Sequence, residues 1–528
     1  MVRCRSPSRP VWESIRQRWG PMRDPLNWPT QDLVTHRADT TPDRTAMVAA
    51  ASGNAVTYRK LDAAVDAVAA ELDRRVDAPD ATVATLLPTR PAVGTLLFAA
   101  MRLGATLAPL NVELDAATLQ SQLSTVDADL LVCGDSTASL AADIDGCPTV
   151  SVDRELSAAA VADETAAAGS ADETATDVTP APLSRTDTQL VIFTSGTTSE
   201  PKGVRLTVGN LVASAVASSY RLGVLPDDRW LVCLPTYHMG GLAPFIRSAL
   251  YGTAAVVQRS FDADATQQVL AEHGVTGVSL VPTMLSRLLD AGWEPPASLR
   301  FVLLGGGPAS ETLIERCRER DVPVYPTYGM TETASQIATA RPETAFEHAG
   351  TVGQPLVFTD VTVVADGAAC DPGERGEIVV DGPTVTPGYL NGDDDAFSDH
   401  GFRTSDIGYR DADGHLWVEG RVDDQIVTGG ENVDASTVAD TIREHPAVED
   451  AAVVGLPDEE WGQRVAALVV GDVSPTAVRD HCAERLAPYE VPKTVRIADA
   501  LPRTASGTVD RAAVRSHFGT ASESNESA

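Results

Sequence analysis

Lysine is almost missing from this sequence. Lys60, Lys202 and Lys493 are the only three among 41 basic residues, the rest being arginine. Basic residues as a whole are scarce against 74 acids, 47 of them aspartate, and the formal net charge is −33 with a pI near 4.5. So negative a surface argues against nucleic acid as a partner, because a polyanion is repelled rather than held by counterion release. An anionic membrane surface is disfavoured for the same reason. The seven cysteines are odd in number, scattered and free of any CxxC pair. That spacing argues against a disulfide framework or a zinc site and points to reduced thiols in a cytoplasmic protein. No run of about 18 apolar residues occurs, so no membrane-spanning helix is expected.

What is present can fold. The chain is 43% hydrophobic over 528 residues, enough for a sizeable core, and about 150 residues per domain suggests two to four units. An Asp-rich, Lys-starved composition resembles the cytoplasmic proteins of salt-adapted archaea. Dense carboxylates hold water and counterions, and concentrated salt screens their repulsion. High genomic GC would also exchange lysine for arginine but leaves the acidity unexplained. Residues 1–21 do not match the rest, with Arg3, Arg5, Arg9, Arg16 and Arg18 against the single acid Glu13. No apolar stretch follows, so they do not read as a signal peptide. They are expected to be a mis-assigned start, with Met22 the natural initiator.

Amphipathic and apolar segments then alternate. Residues 57–75 and 91–105 read as helices, 81–87 and 130–134 as strands, a pattern that argues for an α/β fold with largely parallel sheets. The Ala/Asp/Glu/Thr-rich stretch 155–186 reads as a surface excursion. GEIVVDGPTV and GHLWVEG read as β-rich. The expected architecture is a large N-terminal body, 22–420, of two αβ sheets plus a β-rich subdomain. A small mobile α+β unit, 421–518, follows, with helices near 435–445 and 474–486 and strands near 448–456 and 464–470. A polar disordered tail, 519–528, ends the chain.

The sharpest motif is LVIFTSGTTSEPKGV (190–204). An apolar strand runs into Thr194, Ser195, Gly196, Thr197 and Thr198, and Lys202 follows. Small hydroxyl and glycine residues let N–H and O–H groups converge on phosphate oxygens, and the lysine adds a mobile charge. The spacing is not that of a Walker loop. The run is similar, nearly residue for residue, to the phosphate loop of the adenylate-forming (acyl-CoA synthetase) superfamily. Ser199 stands where that family usually has glycine.

The resemblance extends over about 27–515. It implies that LLGGGPA (303–309), with Gly305, Gly306, Gly307 and Pro308, lies against adenine and the acyl group. In YGMTETASQI (328–337) it implies that Tyr328 stacks on adenine, Gly329, Met330 and Thr331 border the nucleotide, and Glu332 ligates Mg²⁺. Outside that motif Glu332 would read as a surface acid. Asp406 in FRTSDIGY (402–409) would accept the ribose hydroxyls, with Ser405 replacing the usual glycine. Arg421 would contact ribose or phosphate, Asp423 would be the hinge, and Gly429, Gly430 and Glu431 would line the pantetheine tunnel. ATP, Mg²⁺ and coenzyme A are the implied cofactors and co-substrate. The implied chemistry is attack of a carboxylate on the α-phosphorus of ATP, followed by displacement of AMP by CoA. A homodimer is possible.

The stretch 234–353 is most similar to the branch that joins o-succinylbenzoate to CoA in menaquinone biosynthesis. In LPTYHMGGL (234–242), Tyr237, His238, Gly240 and Gly241 suit a ring better than a fatty tail. His238 is either a polariser or gate of the pocket, or a packed core histidine. Arg247 either holds the second carboxylate of the acid or faces solvent on a helix. Gly306 and Ser335 complete the expected acyl pocket, and Lys202, Glu332 and His238 the catalytic set. The alternatives are a ligase for another aromatic or short acid and, from another class, an impaired adenylate-binding protein. The last arises because Thr508, in LPRTASGTVDR (501–511), stands where the family has a lysine that reaches the α-phosphate.

Overall fold

A computed structural model describes residues 28–156, 178–194, 202–390, 392, 396–422, 425–428, 431–458, 461–503 and 509–519. Residues 1–21, most of 155–186, and all of the tail but Gly519 lie outside that set. Near the end of the stretch read as a surface excursion, Val178 and Leu183 pack against the core. Leu183 is buried in the main core and its N–H donates to the Thr30 carbonyl.

Two αβ sheets form the body. In one, Val324–Tyr328, Phe301–Leu304, Gly277–Leu280, Arg229–Val232, Ala254–Val257 and Thr45–Ala49 run parallel in that spatial order, with short antiparallel strands outside them. In the other, Thr149–Ser151, Leu130–Cys133, Thr82–Leu86, Thr106–Pro109 and Thr188–Thr194 run parallel, and Lys202–Thr207 closes the edge antiparallel. An antiparallel sheet built on Asp360–Ala365, Gly376–Asp381, Gly401–Arg410 and Leu416–Arg421 supplies the β-rich part. The C-terminal part has its own five-stranded sheet and core, with helices Ala435–Arg443 and Pro475–Ala483. No described helix is long and apolar enough to cross a membrane.

The largest core lies where five helices meet the two parallel sheets. Tyr58–Asp73 is amphipathic. Thr57 caps it, and Leu61, Val65, Val68 and Leu72 recur at helical spacing on its buried face. Pro91–Leu103 is buried at every position. Proline starts it, and Gly104, at φ 71°, ends it in the left-handed region. Each fully buried Leu or Phe there contributes about 1.5–3 kcal/mol. At Gly94 this helix admits the ring of Phe245. A methyl group there would meet Phe245 Cδ1 at 2.7 Å, so alanine would force the two helices apart.

Among the described residues of the body three arginines are buried, and they differ in what surrounds the charge. Arg102 is 1% exposed and bonds Asp32, Asp62 and Asp66 at 3.0, 2.6 and 2.5 Å. Arg90, 7% exposed, is held by Asp153 at 2.6 Å. Arg247 is 2% exposed, and no described carboxylate pairs with it.

Candidate active site

The segment 328–337 is the hub. It links strand Val324–Tyr328 to strand Ala338–Thr339 by a compact turn, with Thr333 and Ser335 N–H groups donating to the Met330 carbonyl. The fold-back puts the Ser335 carbonyl over Gly329. Any Cβ at Gly329 would lie 1.7 Å from that oxygen, so only glycine fits. Ala334 and Ser335 pay for the turn with φ of 54° and 124°.

Three groups of side chains meet this segment. At one end the Tyr328 hydroxyl donates to Asp406 Oδ2 at 2.5 Å. Burial first, then the Asp406 charge, hold the Tyr328 phenol well above its ordinary range, so it remains a donor. Asp406 Oδ1 lies 3.2 Å from Arg421 Nε, its cross-strand partner. The Thr404 hydroxyl accepts from the Asp406 N–H at 3.0 Å.

Ser405 sits at φ 59° in the irregular pairing between Gly376–Asp381 and Gly401–Arg410. The serine that departs from the family's glycine therefore occupies a left-handed position. Ser405→Gly is expected to raise stability by about 0.5–1 kcal/mol. Thermal melting checks this, and an unchanged or lower midpoint would show that the Ser405 side chain offsets its strain.

In the middle of the segment, Glu332 is 9% exposed, not a surface acid. Its Oε1 accepts from the Tyr389 hydroxyl at 3.0 Å. The Lys202 ammonium stands 5.1 Å from the centre of the same Tyr389 ring. Lys202 opens strand Lys202–Thr207 directly opposite Thr194. Ser195, Gly196, Thr197, Thr198 and Ser199 lie outside the described residues.

At the far end, Ser335 Oγ accepts from Arg247 at 3.2 Å. The Arg247 guanidinium also stacks 5.1 Å from the Trp230 ring, and its Nε has no hydrogen-bond partner among the described residues. Burial lowers the Arg247 pKa, yet a guanidinium stays charged at neutral pH. The solvent-facing alternative for Arg247 is thus ruled out.

Tyr237 and His238 pack edge to face at 4.7 Å. Burial lowers the His238 pKa, which keeps the imidazole neutral at pH 7, and its Nε2 has no partner among the described residues. Burial, and then Glu113, push the Tyr237 phenol up to about 12.

Two of the candidate glycines serve close contacts within the fold. Gly241 does not contribute open pocket space. A Cβ there would strike the Pro235 carbonyl at 2.3 Å, so the residue lets helix Met239–Tyr251 start against its own preceding loop. Gly305 likewise accommodates the Thr327 methyl at 2.7 Å. Gly306 takes φ 79°, and Gly307 faces open space, its nearest neighbour being Pro282 at 3.9 Å. Only Gly307 fits the expectation of backbone left bare for a flat ring.

Pro308, Met330 and Thr331 lie on the same two turns as the glycines and Glu332. Glu431 is exposed on strand Glu431–Asp434, while Asp423, Gly429, Gly430 and Thr508 lie outside the described residues. Tyr389 was not anticipated from sequence. Its signal was present in TVTPGYL (384–390), where a lone tyrosine follows glycine in a polar stretch, but nothing local says what it faces.

A lysine at the start of an edge strand, a buried carboxylate and a tyrosine–aspartate–arginine group thus surround one turn. The comparisons agree with that geometry. The AMP-binding enzyme family model matches residues 34–390, and the AMP-binding enzyme C-terminal domain model matches residues 437–508. The chain belongs to the AMP-binding enzyme family. It is 37% identical over 495 residues to 2-succinylbenzoate–CoA ligase of Bacillus licheniformis, covering 93% of this chain and 99% of that protein. The o-succinylbenzoate CoA synthetase of Bacillus subtilis in complex with its acyl-adenylate intermediate is 34% identical, with a TM-score of 0.84 over 94% of this chain and 99% of that one. The same enzyme with ATP and magnesium ion gives a TM-score of 0.82 over 91% of this chain and 98% of that one.

As an AMP-binding enzyme the chain needs a place for nucleotide and metal. Among the described residues no group of three or more His, Cys, Asp or Glu could hold a metal by itself. Glu332 fits the lighter requirement of Mg²⁺, which takes one or two carboxylates and completes its shell with phosphate oxygens and water. The carboxylate is buried, and its described side-chain partner is a neutral phenol rather than a cation.

Proposed function

We propose that this protein is an AMP-forming acid–thiol ligase that joins o-succinylbenzoate to coenzyme A, the step of menaquinone biosynthesis performed by its relatives. The observation that carries the acid assignment is Arg247, buried with no described carboxylate partner and bonded to Ser335 at the end of the turn that holds Glu332. A buried guanidinium without a counter-charge is costly, and an acid with a second carboxylate supplies the missing partner. Neutral His238 and protonated Tyr237 pack edge to face just before helix Met239–Tyr251, which carries Arg247, and offer the acid an uncharged aromatic surface. A simple benzoate would leave Arg247 unpaired, which favours the dicarboxylate over other aromatic acids.

Lys202 and the loop before it would hold the phosphates, and Glu332 would hold Mg²⁺. Asp406, fixed by Tyr328 and Arg421, accepts the ribose hydroxyls. Mg²⁺, when bound, neutralises phosphate charge. One oxygen of the activated carboxylate bonds to the α-phosphorus and the bond to pyrophosphate breaks. The CoA sulfur then forms the thioester, its proton passes to solvent and AMP leaves. The protein mainly positions groups and balances charge. Asp423, Gly429, Gly430 and Glu431 serve the hinge and the CoA path, and a small domain moving between two poses would serve both half-reactions.

The test is a panel of acids with ATP, Mg²⁺ and CoA in concentrated KCl. Preference for o-succinylbenzoate supports the reading, and a flat profile over benzoates sinks it.

The acidic, lysine-poor surface supports a salt-adapted cytoplasmic setting. Screening shortens to about 3 Å at 1 M salt from about 10 Å at 0.1 M, so like-charge repulsion grows as salt is removed. The melting temperature is expected to fall by several degrees on dialysis from molar to decimolar KCl. A midpoint that rises or stays level would remove the salt-adaptation reading and leave the enzyme assignment untouched.

A further inference from the structure

Tyr389 touches both charged groups of the nucleotide cleft. Its hydroxyl donates to Glu332 Oε1 at 3.0 Å, and its ring faces the Lys202 ammonium at 5.1 Å. The segment that carries it is tied at several points. Tyr389 bridges to Val204, and Leu390 N–H donates to the Gly203 carbonyl at 2.8 Å. The Thr386 hydroxyl donates to the Arg205 carbonyl at 2.5 Å, and Thr386 N–H donates to the Glu332 carbonyl at 2.7 Å. Residues 384–390 therefore strap the strand that begins with Lys202 to the turn that holds Glu332. Gly203 allows the close approach, since a Cβ there would meet Leu390 Cδ1 at 3.0 Å.

We infer that Tyr389 is a positioning residue for the metal–nucleotide complex, aligning the Glu332 carboxylate through its hydroxyl and the Lys202 ammonium through its ring. The inference rests on the nucleotide reading of this cleft but not on the identity of the acid. A lysine and a glutamate in one cleft attract each other. A phenol between them gives each a separate neutral contact, and so favours an arrangement already open to phosphate and Mg²⁺. The two halves of the role are separable. Phenylalanine keeps the ring and removes the hydroxyl, whereas leucine removes both.

The experiment measures Mn²⁺ and ATP binding to the full chain by electron paramagnetic resonance and calorimetry, without acid or CoA. Tyr389→Phe is expected to weaken Mn²⁺ in the enzyme–ATP complex about fivefold and to leave metal-free ATP binding unchanged. Tyr389→Leu is expected to weaken metal-free ATP binding as well, about threefold. In a Glu332→Gln background the Tyr389→Phe effect on Mn²⁺ should disappear. A merely structural role would lower the melting temperature without separating the two variants in this way. Equal Mn²⁺ affinity in wild type and Tyr389→Phe overturns the inference, as does a loss that persists beside Glu332→Gln. If the wild-type protein binds no Mn²⁺–ATP, the nucleotide reading itself fails and takes the inference with it. A wrong acid assignment would leave every one of these readouts intact.

Discussion

Replacing Arg247 with methionine is expected to raise KM for o-succinylbenzoate about a hundredfold, because loss of a buried, hydrogen-bonded charge pair costs about 2–5 kcal/mol. Monocarboxylate analogues that keep only the activated carboxyl should be used equally well by both proteins, since they never satisfied Arg247. The variant should also be at least as stable as the parent in the absence of ligand. Arg102 and Arg90 have aspartates that offset their burial, but Arg247 has Ser335 and the face of Trp230. Methionine, of similar length, removes an uncompensated charge from the core and keeps most of the packing. Steady-state kinetics on the two classes of acid, together with thermal melting, decide the matter. If KM rises equally for both classes, or the protein loses stability, Arg247 is a structural residue and the acid assignment loses its main support.

This prediction depends on burial, which could not be read from sequence. Helix Met239–Tyr251 is apolar on nearly every side, so periodicity gave no face on which to place Arg247. The strands and helices themselves were legible, because Tyr58–Asp73 carries a clear helical period, proline and glycine bound Pro91–Leu103, and Thr82–Leu86 and Val448–Asp458 carry short apolar runs. Lys202 was legible because lysine is so rare here. Tyr328, Glu332 and Asp406 were found through the family's motifs, and their meeting on one turn came from the parallel sheet that brings Val324–Tyr328 to its edge. Tyr389 was not legible, since it is 57 residues from Glu332 and joins it only through the strap on Lys202–Thr207. The crowding at Gly241 was not legible either, since sequence does not distinguish an open glycine from one pressed against backbone.

Thr508→Lys is expected to raise the rate of ATP–pyrophosphate exchange by about ten- to a hundredfold, since one donor placed on developing charge is worth about 10²–10³ and an added one recovers part of that. Thr508 itself lies outside the described residues, and the argument comes from its neighbours. Two cations close to it in sequence, Arg503 and Lys493, are already engaged. Arg503 pairs with Asp450 at 2.6 Å, and the Lys493 ammonium stands 3.4 Å from the Trp461 ring. Each would have to leave a defined contact to stand in for the family's lysine at the α-phosphate. In so acidic a chain every cation near the site is valuable, and the proposed function leaves only Lys202, Arg421 and Arg247 to balance a triphosphate and a dicarboxylate. A new lysine at 508 should therefore act on adenylation alone. Thioester formation from a supplied acyl adenylate should be unchanged, because that half-reaction never used the group. Equal exchange rates in the two proteins would show that Thr508 is no deficit and that another cation already serves the α-phosphate. A rise in both half-reactions would instead point to a general gain in affinity for anions.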